Sequence, residues 1–292
     1  MKIAVYGKSI SAESKQYVED LHQELTEAGV EISVFKRLNR FIEEHCDIDI
    51  SLDSFSSYEE LMSFGPDFLI TMGGDGTILD AVTYVRDSGI PVLGVNTGRL
   101  GFLSNVSKEN IKEAVRALVR GDYSIDSRNL LDLQCDSLDL ELNFALNEVT
   151  VSRKDTTAMV TVHTWIDGRY LNSYWADGLI IATPTGSTGY SLSCGGPIIM
   201  PGSESFVITP IAPHNLNVRP FVIPNDMEIK LKVEGRERQF LVSLDSRIYS
   251  LDTGSELKIK LQNFQINMVK TDIQEFADTL RNKLLWGLDR RN

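Results

Sequence analysis

The sequence has few cysteines and histidines, and their spacing argues against disulfides and structural zinc. The three cysteines, Cys46, Cys135 and Cys194, are far apart and form no C-x-x-C pair, and the four histidines are equally scattered. An odd number of isolated thiols is typical of a protein in a reducing compartment, and zinc sites need closely spaced ligands. We therefore expect free thiols, no structural zinc and a cytoplasmic location.

Long apolar runs and an excess of positive charge are also absent. No apolar run approaches the roughly 20 residues of a membrane-spanning helix, and the apolar core of the N-terminal "MKIAVYGKSI" is too short for a signal peptide. The 292 residues carry a formal net charge of −12. Because nucleic-acid-binding proteins usually present a basic face, we expect neither a membrane nor a nucleic acid as partner.

Two common nucleotide-binding motifs are missing. The chain contains no G-x-x-x-x-G-K-[ST], which excludes a P-loop enzyme. No G-x-G-x-x-G follows the first strand-like segment, so ordinary Rossmann dinucleotide binding has no support. Any nucleotide site in this chain therefore uses other glycine-rich turns.

The pattern of apolar residues changes near Tyr123. Residues 1–123 alternate strand-like and helix-like segments, which predicts a mostly parallel sheet with helices on both faces, a Rossmann-like α/β domain. Residues 124–271 contain short strand-like segments separated by turn residues, which predicts a mainly β domain. A final helix is predicted over 272–287, and its apolar stripe could pack against the first domain. The polar stretch 47–60 is expected to be a surface loop.

A glycine-rich turn follows the strand-like "DFLITM". Gly73, Gly74, Gly76 and Thr77 stand between this strand and a predicted helix. Glycine lets the backbone approach an anion, and the N-terminus of a helix offers unpaired N–H groups. These residues are therefore candidates for binding phosphate.

Asp75 is the unusual residue in this turn, because a carboxylate repels phosphate. Three roles are open to it from the sequence. It could hold Mg²⁺, accept a proton from an attacking hydroxyl, or simply cap the helix as turn aspartates often do.

Two further stretches carry polar residues in unusual settings. "TPTGSTGYSLS" (183–193) concentrates hydroxyls and glycines after a strand, which indicates a loop shaped around a polar ligand and too polar for the core. Asn147 and Glu148 lie within the apolar "FALNEVTVSR". This pair either marks a strand end in water or binds sugar hydroxyls, which both donate and accept hydrogen bonds.

Taken together, these stretches resemble the NAD kinase family. The resemblance extends over most of the chain, roughly from Phe68 to Asp245, and rests on these motifs: "GGDGT", "NTGRLGFL", "NEV", "ADGLIIATPTGSTGYSLSCGGPI", "TPIAPH" and "RP". "GGDGT" alone is weak, because diacylglycerol-type lipid kinases and phosphofructokinases have similar turns. The long string around residues 176–198 is much more specific.

The resemblance implies phosphorylation of NAD at the 2′-hydroxyl of its adenosine ribose, with ATP as donor and a divalent cation, usually Mg²⁺, as cofactor. It implies that Asp75 is the base for that hydroxyl and that the glycine amides hold the donor phosphates. The residues it implies for NAD binding are Asp75, Gly76, Asn147, Glu148, Asp177, Thr188, Gly189, Tyr190, Ser191, Leu192, Ser193 and Ala212.

The resemblance also implies a fold and an assembly. The family has an N-terminal α/β domain and a C-terminal β-sandwich-like domain. The terminal helix returns to the N-terminal domain. Family members are homo-oligomers, so a homodimer or homotetramer is expected.

Three positions depart from the family pattern. Gly189 replaces a common alanine, and Trp175-Ala176 stands where an arginine often precedes the "DG". Arg247 replaces a glutamine in "SLDSR", so a cofactor contact is not transferred to it. Two other functions are open from the sequence: a kinase with a lipid or sugar acceptor, and a nucleotide sensor without activity.

Overall fold

The computed structural model describes residues 1–8, 14–46, 52–99, 101–104, 106–155, 158–271 and 276–285. Its internal contacts divide the chain into two units, one formed by 1–127 and the C-terminal part from 266, the other by 128–265. The boundaries predicted from the sequence, 123 and 271, lie a few residues away. Each unit is described by itself.

The described residues contain twenty strands and seven helices. The strands are β1 (Lys2–Tyr6), β2 (Glu31–Phe35), β3 (Asp53–Phe55), β4 (Phe68–Met72), β5 (Val92–Asn96), β6 (Val106–Ser107), β7 (Ser124–Arg128), β8 (Leu131–Gln134), β9 (Phe144–Ala145), β10 (Glu148–Arg153), β11 (Val160–Ile166), β12 (Arg169–Ala176), β13 (Gly178–Ala182), β14 (Ser205–Ile211), β15 (Phe221–Pro224), β16 (Ile229–Glu234), β17 (Gln239–Leu244), β18 (Arg247–Asp252), β19 (Glu256–Leu261) and β20 (Ile266–Lys270). The helices are α1 (Lys15–Glu27), α2 (Lys36–His45), α3 (Tyr58–Phe64), α4 (Asp75–Val85), α5 (Ile111–Arg120), α6 (Tyr190–Ser193) and α7 (Phe276–Leu284).

The first unit is an α/β domain built on one eight-stranded sheet. The strand order is β3-β2-β1-β4-β5-β20-β7, with β6 also paired to β5. The pairs β1–β2, β1–β4 and β4–β5 are parallel. The aliphatic side chains of β4 and β5 are buried, as expected for strands in the middle of a parallel sheet. The α/β prediction for this part of the chain is confirmed.

The order of the strands reverses between β1 and β4. From β1 the chain moves outward to β2 and β3 on one side, and from β4 it moves to β5 on the other. In open α/β sheets, ligands bind at the carboxyl ends of the strands on either side of such a reversal. Strand β1 ends before Gly7 and β4 ends before Gly73, so the glycine-aspartate turn lies at this edge.

The expected surface loop over 47–60 is wrong for the part that the structure describes. Strand β3 pairs in parallel with β2, and α3 begins at Tyr58 after Ser57, whose side chain accepts from the Glu60 N–H. Phe55 is buried, and its ring centroid lies 5.6 Å from that of Phe35. One buried aromatic ring anchors an otherwise polar segment, which composition alone does not reveal. Residues 47–51 lie outside the described residues.

The predicted terminal helix is described only in part. Helix α7 covers Phe276–Leu284, while 272–275, including Ile273, and 286–287 lie outside the described residues. The Phe276 ring centroid lies 6.1 Å from that of Phe102, and the Lys283 ammonium lies 4.6 Å from the centroid of the same ring. The helix therefore contacts the loop that follows β5.

The second unit is a β-sandwich of two antiparallel six-stranded sheets. Their orders are β15-β14-β13-β10-β17-β18 and β12-β11-β16-β19-β8-β9. Inward-facing side chains alternate along the strands and form one core, with Val151, Ile208 and Val242 from the first sheet and Val162 and Leu231 from the second. The prediction of a β-sandwich-like second domain is confirmed.

A smaller apolar cluster lies on the other face of the first of these sheets. Ile180, Ala182 and Val207 are packed against Cys194, Ile199 and Ile211. The segment after α6 therefore covers this face, which fixes the position of α6 beside the ends of β10 and β13.

Two negative findings concern the described residues. None of the helices in these ranges is both long and apolar enough to pass through a bilayer. All three cysteines, Cys46, Cys135 and Cys194, are free.

We expect Ile208→Ala to destabilise the protein, because Ile208 is fully buried in the sandwich core and truncation leaves a cavity. The free energy of unfolding should fall by about 2–5 kcal/mol, measured by urea denaturation. Ile248→Ala is the matched control, since Ile248 is 67% exposed on the edge strand of the same sheet, and its effect should stay within about 0.5 kcal/mol. Equal effects of the two changes would contradict the core assignment.

Candidate active site

The glycine-aspartate turn connects β4 to α4 through a conformation that requires glycine. Gly73 has φ +154°, and a Cβ there would lie 2.1 Å from Thr77 Oγ1. The Gly73 N–H donates to Val95 O at 2.9 Å, so this amide is already engaged within the protein. Gly74 and Gly76 are exposed, and the first N–H groups of a helix have no intrahelical acceptor. The Thr77 N–H donates to Gly74 O at 2.9 Å, so the turn offers the N–H groups near Gly74 and Gly76.

Asp75 is the first residue of α4, and its carboxylate is held by a distant loop. Oδ2 accepts from the Phe102 N–H at 2.8 Å, and Oδ1 accepts from the N–H groups of Leu103 and Ser104, each at 3.0 Å. The N-cap position belongs to Gly74, and no side chain caps the helix. The helix-cap interpretation of Asp75 is therefore wrong.

The loop whose N–H groups bind Asp75 is shaped by Asn96 and Gly101, to which the sequence assigned no role. Asn96 Nδ2 donates to Arg99 O and Ser104 Oγ, both at 2.8 Å, and its Oδ1 accepts from the Gly98 N–H at 2.7 Å. A Cβ on Gly101 would lie 1.8 Å from Asp75 Oδ1. The available signal was the "NTG…G" pattern at the end of β5.

A lysine at the same edge was also missed. Lys8 follows β1, on the other side of the strand-order reversal, and its Nζ lies 3.0 Å from Asp80 Oδ2 on α4. A cation next to the glycine turn suits a site for anionic ligands. In the sequence, only the position of Lys8 directly after the first strand indicates that it lies near this site.

Asn147 and Glu148 lie where β9 gives way to β10 in the second unit. Asn147 O accepts from the Thr183 N–H at 2.9 Å, and Glu148 pairs with Ala182 on β13. Asn147 Oδ1 and Glu148 Oε2 are buried and have no hydrogen-bond donor among the described residues. The alternative of a strand end with both side chains in water is therefore wrong.

The carboxyl of Glu148 has an altered acidity. Burial, together with the negative charge of Asp245, raises the pKa of Glu148 to about 8, while a hydrogen bond from the Tyr190 backbone opposes the rise. At neutral pH this carboxyl is mostly protonated, so it both donates and accepts hydrogen bonds.

The hydroxyl-rich stretch 183–193 differs from the expectation that it is too polar for the core. Thr183, Thr185, Ser187 and Ser191 are buried. Their hydroxyls bind within the protein: Thr183 Oγ1 donates to Leu146 O at 2.6 Å, and Ser191 Oγ lies 2.8 Å from Thr209 Oγ1. The stretch folds as a 3₁₀ turn over Gly186–Thr188 followed by α6. Its polar residues are tolerated inside because nearly all find partners.

The remaining predicted NAD-binding residues of this stretch are more accessible. Thr188, Gly189 and Leu192 are half-buried, and Tyr190 and Ser193 are exposed. A Cβ on Gly189 would lie 3.1 Å from Glu148 Oε2, so this glycine adjoins the Asn147-Glu148 pair. The structure thus brings Glu148, Gly189 and the Tyr190 backbone together.

Asp177 precedes β13 at the end opposite to Glu148, because Glu148 pairs with Ala182 and Ser152 pairs with Gly178. An arginine holds its side chain. Asp177 Oδ2 lies 3.1 Å from Arg153 Nη2 on β10, while Oδ1 is buried without a donor among the described residues. The Asp177 N–H donates to Ile211 O, which places Ala212, with φ +43°, beside it. The arginine missing before the "DG" thus has a counterpart on a neighbouring strand.

In the described part of the chain, no three His, Cys, Asp or Glu side chains are grouped closely enough to hold a metal ion. Mg²⁺ in kinases is commonly held by triphosphate oxygens and water with one or two carboxylates.

Both parts of the chain match family models. Residues 3–123 match the ATP-NAD kinase N-terminal domain, and residues 146–271 match the ATP-NAD kinase C-terminal domain. Among curated relatives, the NAD kinase of Flavobacterium psychrophilum is 52% identical and that of Christiangramia forsetii 48%, each over 100% of both chains.

Solved structures agree with this match. An NAD kinase from Archaeoglobus fulgidus in complex with ATP is 27% identical, with a TM-score of 0.75 over 98% of both chains. Yeast NADH kinase complexed with NADH has a TM-score of 0.89 over 99% of this chain and 88% of its own, and at 23% identity this likeness concerns the fold. The matches along the whole length show that this chain belongs to the NAD kinase family.

Proposed function

We infer that this protein phosphorylates NAD on the 2′-hydroxyl of the adenosine ribose, with ATP as donor, to give NADP and ADP. Family membership supports the reaction. The single structural observation that supports the acceptor site is the pair of buried oxygens without donors on Asn147 and Glu148. Buried acceptors are normally satisfied, and ribose hydroxyls are suitable donors.

In the first unit, we propose that Asp75 is the base. The 2′-oxygen forms a bond to the γ-phosphorus, the bond from that phosphorus to the β–γ bridging oxygen breaks, ADP leaves, and the hydroxyl proton goes to Asp75. Oδ1 already accepts two N–H groups, whereas Oδ2 accepts one, from Phe102. Oδ2 therefore retains the lone pair for the proton, and the loop amides fix its direction.

The donor phosphates are assigned to the N-terminus of α4. The exposed positions of Gly74 and Gly76 support this proposal, because a helix N-terminus favours negative charge. Thr77 stays part of the proposed phosphate site, with its N–H donated to Gly74 O. Gly73 contributes through its backbone shape and not through its engaged N–H. Mg²⁺, when bound with ATP, neutralises the charge that develops on the transferred phosphoryl group.

In the second unit, we propose that Asn147 and Glu148 bind the ribose hydroxyls. Glu148 in its protonated form donates one hydrogen bond through its hydroxyl and accepts through its other oxygen. The remaining proposed NAD contacts come from Asp177, from 188–193 and from the backbone near Ala212. Ser191 belongs to this proposed set, and its hydroxyl lies 2.8 Å from Thr209 Oγ1, which supports α6.

The cellular setting belongs to the proposal as well. Three free cysteines support a cytoplasmic location. A homodimer or homotetramer is supported by the edge strand β15, where Phe221 and Val222 are each 45% exposed. Mg²⁺ as the cation is supported by the kinase chemistry.

We expect the purified protein to form NADP from ATP, Mg²⁺ and NAD. Asp75→Asn should lower kcat by about 10²–10⁴-fold, because the variant cannot accept the proton and presents an amide N–H to the loop donors. Release of ADP and NADP, measured in a coupled assay across several acceptors, checks both statements.

Asp87→Asn is the control, since Asp87 is exposed just beyond α4 and should leave the rate unchanged. Phosphorylation of a lipid or a free sugar in place of NAD would overturn the acceptor assignment. Tight NAD binding without ADP release would indicate a sensor, and an unimpaired Asp75→Asn enzyme would remove the base.

We expect Gly101→Ala to lower kcat about 100-fold, because its Cβ would collide with Asp75 Oδ1 and displace the carboxylate. Gly98→Ala is the matched control in the same loop, where the nearest atom to a Cβ is Asn96 Oδ1 at 3.9 Å. Steady-state rates with circular dichroism separate catalysis from folding. Equal rates for the two variants would contradict the proposed placement of Asp75.

We expect Glu148→Gln to change how stability depends on pH. Since the folded state raises the Glu148 pKa from 4.5 to about 8, it binds more protons than the unfolded chain between these values. The wild-type free energy of unfolding therefore falls as pH rises through this window, and glutamine does not titrate. The variant should gain on the order of 1 kcal/mol relative to wild type between about pH 6 and pH 9.

Urea denaturation at several pH values measures this gain. Glu204→Gln, at an exposed position before β14, is the control and should track wild type. A Glu148→Gln difference that does not vary with pH would contradict a protonated carboxyl at neutral pH.

A further inference from the structure

The turn between β17 and β18 reaches back to the Asn147-Glu148 pair. Asp245 occupies this turn with φ +53°, a conformation uncommon for residues other than glycine. Its backbone N–H donates to Glu148 O at 3.0 Å. The turn is thus tied to the start of β10 through the main chain.

The Asp245 side chain makes a second, stronger connection. Its Oδ2 accepts from the Leu146 N–H at 2.9 Å, and its Oδ1 accepts from the N–H groups of Asn147 at 2.8 Å and Glu148 at 3.1 Å. Hydrogen bonds to a charged acceptor are stronger than neutral ones, and three together leave the segment little freedom. The backbone that carries both ribose-binding side chains is therefore held by one carboxylate.

Arg247 holds the other end of the same segment. Its Nη1 donates to Leu142 O at 2.7 Å, its Nη2 donates to Phe144 O, and its guanidinium carbon lies 5.2 Å from the centroid of the Phe144 ring. The arginine that departs from the family pattern is thus engaged with the protein backbone. Together, Asp245 and Arg247 bracket residues 142–148.

We propose that Asp245 is a positioning residue for NAD: its carboxylate fixes the backbone of Asn147 and Glu148 so that their side-chain oxygens face the ribose. This inference rests on the proposed function of that pair. Asp245 acts through Asn147 and Glu148 and does not itself touch the substrate. It can therefore affect NAD affinity without taking part in proton transfer.

The charge of Asp245 has a separate consequence for Glu148. It contributes to the raised pKa of Glu148, while the Tyr190 backbone N–H opposes this rise. Burial raises the pKa of Asp245 itself above its usual range, and the three backbone N–H groups and the positive charge of Arg247 limit this rise. Removing the Asp245 charge should therefore lower the Glu148 pKa, an effect that altered packing alone does not predict.

The test is Asp245→Asn in the full chain. An asparagine amide would oppose one of the three N–H groups, so the KM for NAD should rise at least tenfold. The KM for ATP and the kcat at saturating NAD should stay within about threefold of wild type. The fall of kcat/KM for NAD at alkaline pH should move to lower pH. Asp252→Asn is the control, because Asp252 ends the same hairpin and is exposed.

Arg247→Gln provides a second variant in case Asp245→Asn does not fold. It releases Leu142 O and Phe144 O while leaving Asp245 in place, and it should also raise the KM for NAD and not that for ATP. Unchanged NAD kinetics in a folded variant, or equal losses for both substrates without a pH shift, would overturn the inference. Wild-type protein that makes no NADP would instead overturn the proposed function.

Discussion

In both units, an aspartate side chain accepts hydrogen bonds from three consecutive backbone N–H groups. Asp75 holds residues 102–104, and Asp245 holds residues 146–148. Consecutive N–H groups that converge in a loop need an anion, and an unsatisfied buried donor is costly. Each carboxylate therefore determines the shape of a loop, and the two loops carry or adjoin the proposed catalytic and ribose-binding groups.

The two aspartate carboxylates that hold these loops have different proposed roles. In the first unit, the anchoring carboxylate is itself the proposed base, so the amides that hold it also set the direction of its remaining lone pair. In the second unit, the anchor and the ligand-facing carboxyl are separate residues, Asp245 and Glu148. Burial is the main cause that raises the pKa of Glu148 to about 8, and the charge of Asp245 adds to it, so Glu148 acts as a donor as well as an acceptor. One arrangement favours proton acceptance, and the other favours binding of hydroxyls.

The sequence predicts the fold classes because strand and helix periodicity is a local property. It also selects Asp75, Asn147 and Glu148, whose settings are unusual within a few residues of chain. Asp75 is separated by 27 to 29 residues from the N–H groups that it accepts, and Asp245 by 97 to 99 residues. No local pattern encodes such pairs. The same limit explains why buried Ser191, satisfied by Thr209 from another strand, was expected outside the core.

The positions that depart from the family pattern show how function survives a change of sequence. No arginine precedes Asp177, yet Arg153 reaches Asp177 from the adjacent strand at 3.1 Å. Arg247 replaces a glutamine and donates hydrogen bonds to Leu142 O and Phe144 O, so this side chain stabilises the backbone of the segment before β10. Both contacts join residues that are distant in sequence. Arg153 reaches Asp177 from β10, which pairs with β13, because a sheet brings such side chains within hydrogen-bonding distance. Arg247 reaches residues 142 and 144 from β18, which lies in the other sheet of the sandwich from β9.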